Sequence, residues 1–114
     1  MSNAHDAYRR WIHELWTGKP IASELVADDF VGHWPDHDVH GPAELESTIE
    51  RTHNMFDELT FQIEVGPLVD GELVAGRWNG RGKSGDSLTV FYGNDILRFA
   101  DGRFVEYWTG TSTG

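Results

Sequence analysis

Apolar residues recur with a helical period along the first part of the chain. Tyr8, Trp11, Ile12, Leu15 and Trp16 fall at i, i+3, i+4, i+7 and i+8. That stripe predicts a helix over Ala4 to Thr17 with one face packed inward. Gly18 closes it and Pro20 follows, the usual punctuation of a helix end. A shorter helix is predicted near Ile21 to Val26. Asp28 to Trp34 reads as a turn leading into a short extended segment, because Pro35 biases Trp34 away from helix. Residues 36–40 read as a polar loop. Gly41 and Pro42 then open a third helix, with Gly41 near the N-cap and Pro42 at the first position. Leu45, Ile49, His53 and Phe56 form its apolar face.

From Leu59 the period falls to two. Leu59 to Val65 alternates, Asp70-Gly71 marks a turn, and Glu72 to Lys83 is a second strand. Gly76, Gly80 and Gly82 interrupt that strand and predict bulges or bends in a strongly curved sheet. Ser87 to Phe99 and Arg103 to Thr109 are the last two strands, joined by Asp101-Gly102. Asp-Gly between β-rich runs is a strong hairpin signal, since a type I′ turn needs φ > 0 at both central residues. Counting back from that loop, Phe99, Leu97 and Asp95 oppose Phe104, Glu106 and Trp108. Side chains alternate faces along a strand, so these six share one face and Ile96, Arg98, Val105 and Tyr107 take the other. With Ser84-Gly85 as the preceding loop, Trp78 opposes Phe91 and Val74 opposes Asp95, which extends the inner face across three strands. The outer face also carries Leu88, Val90 and Tyr92. It is too apolar for a solvated surface and too polar for a core, and it predicts a homodimer.

The chain has 114 residues, of which 39% are hydrophobic, with five Trp and six Phe. This suits one folded domain over 1–114 with one modest core. The net charge of −10 disfavours nucleic acid and anionic membrane surfaces as partners. There is no apolar run long enough to span a membrane and no apolar leader core at the N-terminus. With no cysteine there is no disulfide framework, thiol nucleophile or thiolate metal site. A cytoplasmic location is the expectation.

The chemistry centres on Asp95, a lone carboxylate on an apolar face. Such a group costs free energy unless it is hydrogen-bonded or protonated. Desolvation would raise its pKa and suit it to act as a general acid or base near neutral pH. The competing reading is a structural Asp bonded to an indole or a helix side chain. His33, His37 and His40 with Asp36 and Asp38 invite a metal reading, but no recognised ligand spacing fits, so no metal and no cofactor is expected. A solvated rim loop fits them better, with His33 kept as an acid/base partner for Asp95. His53 is a polar insertion in a buried stripe: either a histidine bonded to a nearby carbonyl or carboxylate, or a ligand contact. Trp11, Trp34, Trp78, Phe91 and Trp108 would line a pocket suited to a flat, apolar or aromatic ligand, or would simply pack in the core.

Three segments carry a family resemblance: Val26-Ala27-Asp28-Asp29-Phe30, His40-Gly41-Pro42-Ala43-Glu44-Leu45, and the run from Asp95 through Asp101-Gly102 to Tyr107-Trp108. With the order helix, short helix, short strand, helix and four long strands, the chain resembles the nuclear-transport-factor-2-like superfamily, and within it the SnoaL-like polyketide cyclase group. The resemblance covers almost the whole chain. It implies an α+β fold, a cone-shaped curved antiparallel or mixed β-sheet with N-terminal helices packed on its concave face, enclosing a pocket, and commonly a dimer. Asp95 matches the strand carboxylate that SnoaL-like cyclases use as acid/base and ketosteroid isomerases use as a protonated donor. The isomerases' second carboxylate is matched by Trp34, with His33 beside it, and their first-helix tyrosine by Trp11. The implied activity is therefore cyclase- or isomerase-type acid–base chemistry on an apolar or aromatic carbonyl compound. The alternatives are a non-catalytic small-molecule binder and a dimeric interaction module.

Overall fold

In the computed structural model, which describes residues 3–113, the N-terminal apolar stripe is helical over Ala4–Arg10 (α1). The Asn3 side chain accepts the Asp6 N–H at 2.9 Å and caps it. The helix then widens into a π-helical turn over Trp11–Leu15. This turn keeps Trp11, Ile12 and Leu15 buried together. Helix α2 is a single turn, Ala22–Leu25. Helix α3 spans Gly41–His53, with Pro42 in its first turn and Leu45, Thr48 and Ile49 buried.

Six strands follow the chain as β1 (Val26–His33), β2 (Asp38–His40), β3 (Glu58–Asp70), β4 (Leu73–Ser84), β5 (Ser87–Ala100) and β6 (Arg103–Thr113). They form one curved, unclosed sheet in the order β2-β1-β6-β5-β4-β3. The β1–β6 pair is parallel and the others are antiparallel, so the sheet is mixed. The helices cover its inner face. Among the described residues no helix is long and apolar enough to cross a membrane.

Four features differ from the sequence reading. Asp28 and Asp29 lie inside β1 rather than in a turn. Residues 38–40 form a strand, because buried Val39 draws the segment onto β1 opposite Gly32. The β4–β5 loop is Gly85-Asp86, since Gly85 takes the positive φ of 60°. Trp78 therefore opposes Gly93 and Val74 opposes Leu97. That slip is two residues, so it changes partners and leaves the faces intact. The β4–β5 ladder runs unbroken from Leu73↔Arg98 to Ser84↔Ser87, and the irregularities that the glycines predict lie in the β3–β4 ladder, which shifts register twice between Ile63 and Leu68, beside Gly76. Gly80 and Gly82 are also seats for aromatic rings. A Cβ on Gly80 or Gly82 would meet the rings of Phe61 and Phe56 at 2.9 and 2.5 Å.

The fourth difference matters most. The Asp101-Gly102 turn forms with φ of 54° and 82°, and Phe99 opposes Phe104 as expected. The register then shifts by one residue: Arg98 opposes Glu106 and Leu97 opposes Tyr107. Val105 is the extra residue of a β-bulge. Everything beyond it changes face, so Tyr107 turns inward and Glu106 and Trp108 turn outward. The unbulged register would have set Glu106 against Leu97 on the core face, a second buried carboxylate close to Asp95. The bulge removes that cost and supplies a phenol in its place.

Candidate functional site

Asp95 sits in mid-strand on β5, inner face, and is 2% exposed. Three hydroxyls converge on it. Tyr107 donates to Oδ1 at 2.8 Å, Thr109 to the same oxygen at 3.0 Å, and Tyr8 to Oδ2 at 3.1 Å. The sources follow from the register. Thr109 is Asp95's direct partner on β6, Tyr107 is the next inward residue beyond it, and Tyr8 comes down from α1. The strand partner on the other side is Gly76, and a Cβ there would lie 2.5 Å from the Tyr8 ring and hydroxyl. A missing side chain on β4 thus gives Tyr8 access to the carboxylate. The Trp78 indole approaches the same carboxylate without closing a bond of normal geometry.

Burial is the dominant influence on the carboxyl and raises its pKa; the hydroxyl hydrogen bonds from Tyr107, Thr109 and Tyr8, with the nearby Trp78 indole, pull the other way and only partly offset it. Tyr8 and Tyr107 are themselves pushed well above the usual phenol range, by burial first and then by the facing carboxylate. Both phenols therefore remain donors.

Beside this cluster lies a cavity of about 170 Å³. Helical residues Trp11, Ile12 and Trp16 wall one side, and Trp34, from the end of β1, adjoins them. Phe61, Trp78 and Phe91 from β3, β4 and β5 form the sheet side, with Phe56 across from Phe91. The rings make a continuous band: Tyr107 to Trp34 at 5.2 Å between centroids, Trp34 to Trp16 at 6.5 Å, Trp16 to Phe61 at 6.0 Å, and Phe61 to Trp78 at 5.4 Å. Among the described residues the lining holds no Asp, Glu, Lys, Arg or His. Tyr107 belongs to both features: it is one of the lining residues, and its hydroxyl bonds Asp95.

The SnoaL-like domain family model matches residues 8–107, which includes every group that bonds Asp95 except Thr109. The chain belongs to the SnoaL-like domain family. A comparison with curated proteins found no match. Solved structures agree on the fold. A candidate polyketide cyclase from Bacillus cereus ATCC 10987 is 27% identical, with TM-score 0.83 over 93% of this chain and 72% of that one. IdmH, a candidate polyketide cyclase from Streptomyces antibioticus, is 22% identical, with TM-score 0.78 over 94% and 90%. A Catenulispora acidiphila protein of ketosteroid isomerase-like fold, solved with trimethylamine, is 16% identical, with TM-score 0.80 over 95% and 86%.

Within this SnoaL-like fold the sequence-predicted residues separate into two groups. Trp11, Trp34, Trp78 and Phe91 line the cavity. His33, Trp108 and His53 do not. The bulge at Val105 carries Trp108 to the outer face, where it stacks on His33 at 5.7 Å with Arg98 over its ring. His33 is no partner for Asp95: its Nδ1 and Nε2 are held by Asp38 at 2.9 Å and Glu106 at 2.8 Å. Those two hydrogen bonds, Glu106 first, raise its pKa and favour the imidazolium, which donates from both nitrogens. His53 Nε2 donates to the Trp16 carbonyl at 2.7 Å and lies along a separate shallow groove with Lys19, Glu46 and Glu50. The carbonyl bond is of the kind the plainer reading expected, and His53 is not among the residues lining the aromatic cavity. Among the described residues no cluster of His, Cys, Asp or Glu could hold a metal ion.

Three contributors to the site escaped the sequence reading. Tyr107 was assigned outward because the bulge was not seen. Tyr8 was assigned to the core, while Trp11 was matched to the isomerases' first-helix tyrosine; in the structure it is Tyr8, one turn earlier, whose hydroxyl meets the strand carboxylate. Thr109 was read only as a strand end. Glu106 carried the missing signal, since the unbulged register placed a second carboxylate in the core.

Proposed function

We propose that this chain holds a flat, apolar or aromatic molecule in the cavity and acts on a carbonyl group of it as a cofactor-independent SnoaL-like enzyme of the cyclase or isomerase type. Asp95 is the acid/base and Tyr107 its contact with the substrate. The observation that carries this reading is the double role of Tyr107, which lines the cavity while its hydroxyl bonds Asp95 at 2.8 Å. As the proton leaves the carbon next to the carbonyl, Tyr107 Oη takes it and passes its own proton to Asp95 Oδ1. The reverse transfer delivers a proton to the enolate. Burial raises the Asp95 pKa towards the range in which a carboxyl can both take and give a proton at neutral pH. Trp11, Trp34, Trp78 and Phe91 supply the flat walls.

One observation favours a second reading, non-catalytic binding in the same cavity. Asp95 is not itself in the wall, and both its oxygens already accept hydroxyl hydrogens.

Exchange of the α-protons of 1-indanone for deuterium, followed by NMR in D₂O, separates the two. Under the enzyme reading the protein accelerates exchange, and Asp95→Asn and Tyr107→Phe each abolish the acceleration while the ketone still quenches Trp fluorescence. Binding without accelerated exchange would establish the second reading. No binding at all would reject both.

We further propose that a second copy covers the outer sheet face. Leu88 is 52% and Ile96 48% exposed there, beside half-buried Val90 and Tyr92. Sedimentation equilibrium at tens of micromolar should give twice the chain mass, falling to the single mass for Ile96→Arg. A wild-type protein that sediments as a monomer would refute the interface.

A further inference from the structure

The cavity has a closed end and an open end. At the closed end Trp11, Ile12 and Tyr107 are 0%, 2% and 2% exposed, and Tyr107 leads on to Asp95. Two residues of the described lining are exposed, Met55 at 62% and Thr111. Both lie beside Phe56 and Phe91, whose rings meet edge to face at 5.3 Å. Met55 precedes Phe56, and Thr111 pairs with Gly93, two residues along β5 from Phe91. The opening therefore lies between the α3–β3 connection and the last residues of β6.

The backbone around that opening is held in place. The Met55 N–H donates to the Thr52 carbonyl at 3.2 Å and the Phe56 N–H to the His53 carbonyl at 3.1 Å. The Asp57 N–H donates to the Lys83 carbonyl at 2.7 Å, and the Asp57 carboxylate accepts the Gly85 N–H at 2.9 Å. Those two bonds tie the connection to the β4–β5 hairpin. The Phe56 ring is seated on Gly82, where an added Cβ would come within 2.5 Å of it. Thr111 is held in the β5–β6 ladder. What can still adjust is the Met55 side chain, which is unbranched and has three rotatable bonds.

Volume then sets the scale of what fits. An apolar cavity of about 150 Å³ is enough to bind benzene, and this one is about 170 Å³. One ring fills the enclosed part, and a second fused ring reaches the opening. A third has to displace Met55. No charged side chain lies in the described lining, so a charged ligand would enter without a partner and desolvation disfavours it.

We propose that the cavity takes an uncharged ligand of one or two fused rings, inserted towards Tyr107, and that Met55 at the opening is the residue that sets this size limit. The inference rests on the cavity being a ligand site and adds how large the ligand is and where it enters.

The test compares 1-indanone with 9-fluorenone, a flat ketone that adds a third ring to the indanone frame. Quenching of Trp fluorescence gives a dissociation constant for each. A larger ligand buries more apolar surface, so a cavity without a size limit would bind 9-fluorenone more tightly. The expected order is the reverse. Forcing side chains aside in a packed site corresponds to roughly a ten- to hundredfold loss, and wild type should prefer 1-indanone by about that factor. Met55→Ala should recover most of the loss for 9-fluorenone and leave 1-indanone within about threefold of wild type. Met55 is exposed, so this variant leaves the core intact. Wild type binding 9-fluorenone as tightly as 1-indanone would overturn the size limit and leave the cavity reading standing. A Met55→Ala protein that still excludes 9-fluorenone would overturn the assignment of the limit to Met55. Binding of neither probe to wild type would overturn the cavity reading and this inference with it.

Discussion

Asp95→Ala is expected to destabilise the protein by about 3–5 kcal/mol, while Asp95→Asn leaves it near wild type. The alanine removes the common acceptor of three hydroxyls, those of Tyr8, Tyr107 and Thr109, all in a dry site. Tyr8 and Tyr107 are 0% and 2% exposed, so water cannot replace the carboxylate without repacking. Each orphaned donor costs about 1–3 kcal/mol, against a total stability of roughly 5–15 kcal/mol for an ordinary domain. Asparagine keeps an acceptor on the side shared by Tyr107 and Thr109. Its amide faces Tyr8, whose hydroxyl can rotate to accept. The pH dependence sharpens the comparison. A carboxyl with a raised folded-state pKa is most favourable below the unfolded pKa of 3.8, and its contribution is lost as pH rises towards the folded value. Asp95→Asn has no such loss. Urea denaturation across pH 4 to 8 should show the Asn variant gaining on wild type as pH rises. An Asp95→Ala protein as stable as wild type would mean that the cluster contributes nothing, and a gap moving the opposite way would mean that the carboxylate is ionised at little cost.

The identity of that cluster marks where sequence reasoning stopped. The period-two pattern and Asp101-Gly102 placed Asp95 on the inner face correctly, because both depend on residues within a few positions of each other. The partners did not follow, because a bulge is a tertiary decision. Val105 is extruded when the cost of burying Glu106 and the gain from burying Tyr107 exceed the cost of one broken ladder position. Counting along one strand cannot weigh those terms. The helices were legible from their apolar stripes, including the π-helical turn's buried residues, although not its geometry. Tyr8 could be read as buried but not as bonded. Its access to Asp95 depends on Gly76, sixty-eight positions away in sequence. The same limit hid the second role of the β4 glycines, which local rules read as bends in a curved sheet and which at Gly80 and Gly82 also seat rings. A glycine that seats a ring differs from one that bends a strand only through what packs against it. His33 shows the converse: a dense His/Asp loop suggested chemistry, and the outer-face carboxylates Asp38 and Glu106 absorb it.

Gly93→Ala tests the seating principle where the fit is closest. Gly93 opposes Trp78 across the β4–β5 ladder, and the indole lies over it so closely that an added Cβ would collide with the ring atoms. Its φ is not in the left-handed region, so alanine suits the backbone and any loss must come from packing. Trp78 is a rigid plate with no flexible tip to give way. Phe61 stands edge-on at 5.4 Å on one side and Asp95 lies next inward along β5. Displacing the indole would therefore disturb the cavity wall and the carboxylate cluster together. Overpacking of this kind costs about 1–3 kcal/mol, sometimes more, which for a chain of this size lowers the melting temperature by roughly 5–15 °C. Gly110→Ala is the matched control on β6. Nothing lies within 4 Å of its added Cβ, and its φ is also outside the left-handed region. The expected result is a large drop with altered Trp fluorescence for Gly93→Ala and a melting temperature within about 2 °C of wild type for Gly110→Ala, the range of an ordinary surface substitution. Equal stability of the two variants would show that Trp78 has a second place to lie. The close approach to Gly93 would then not be what holds that wall against the Asp95 cluster.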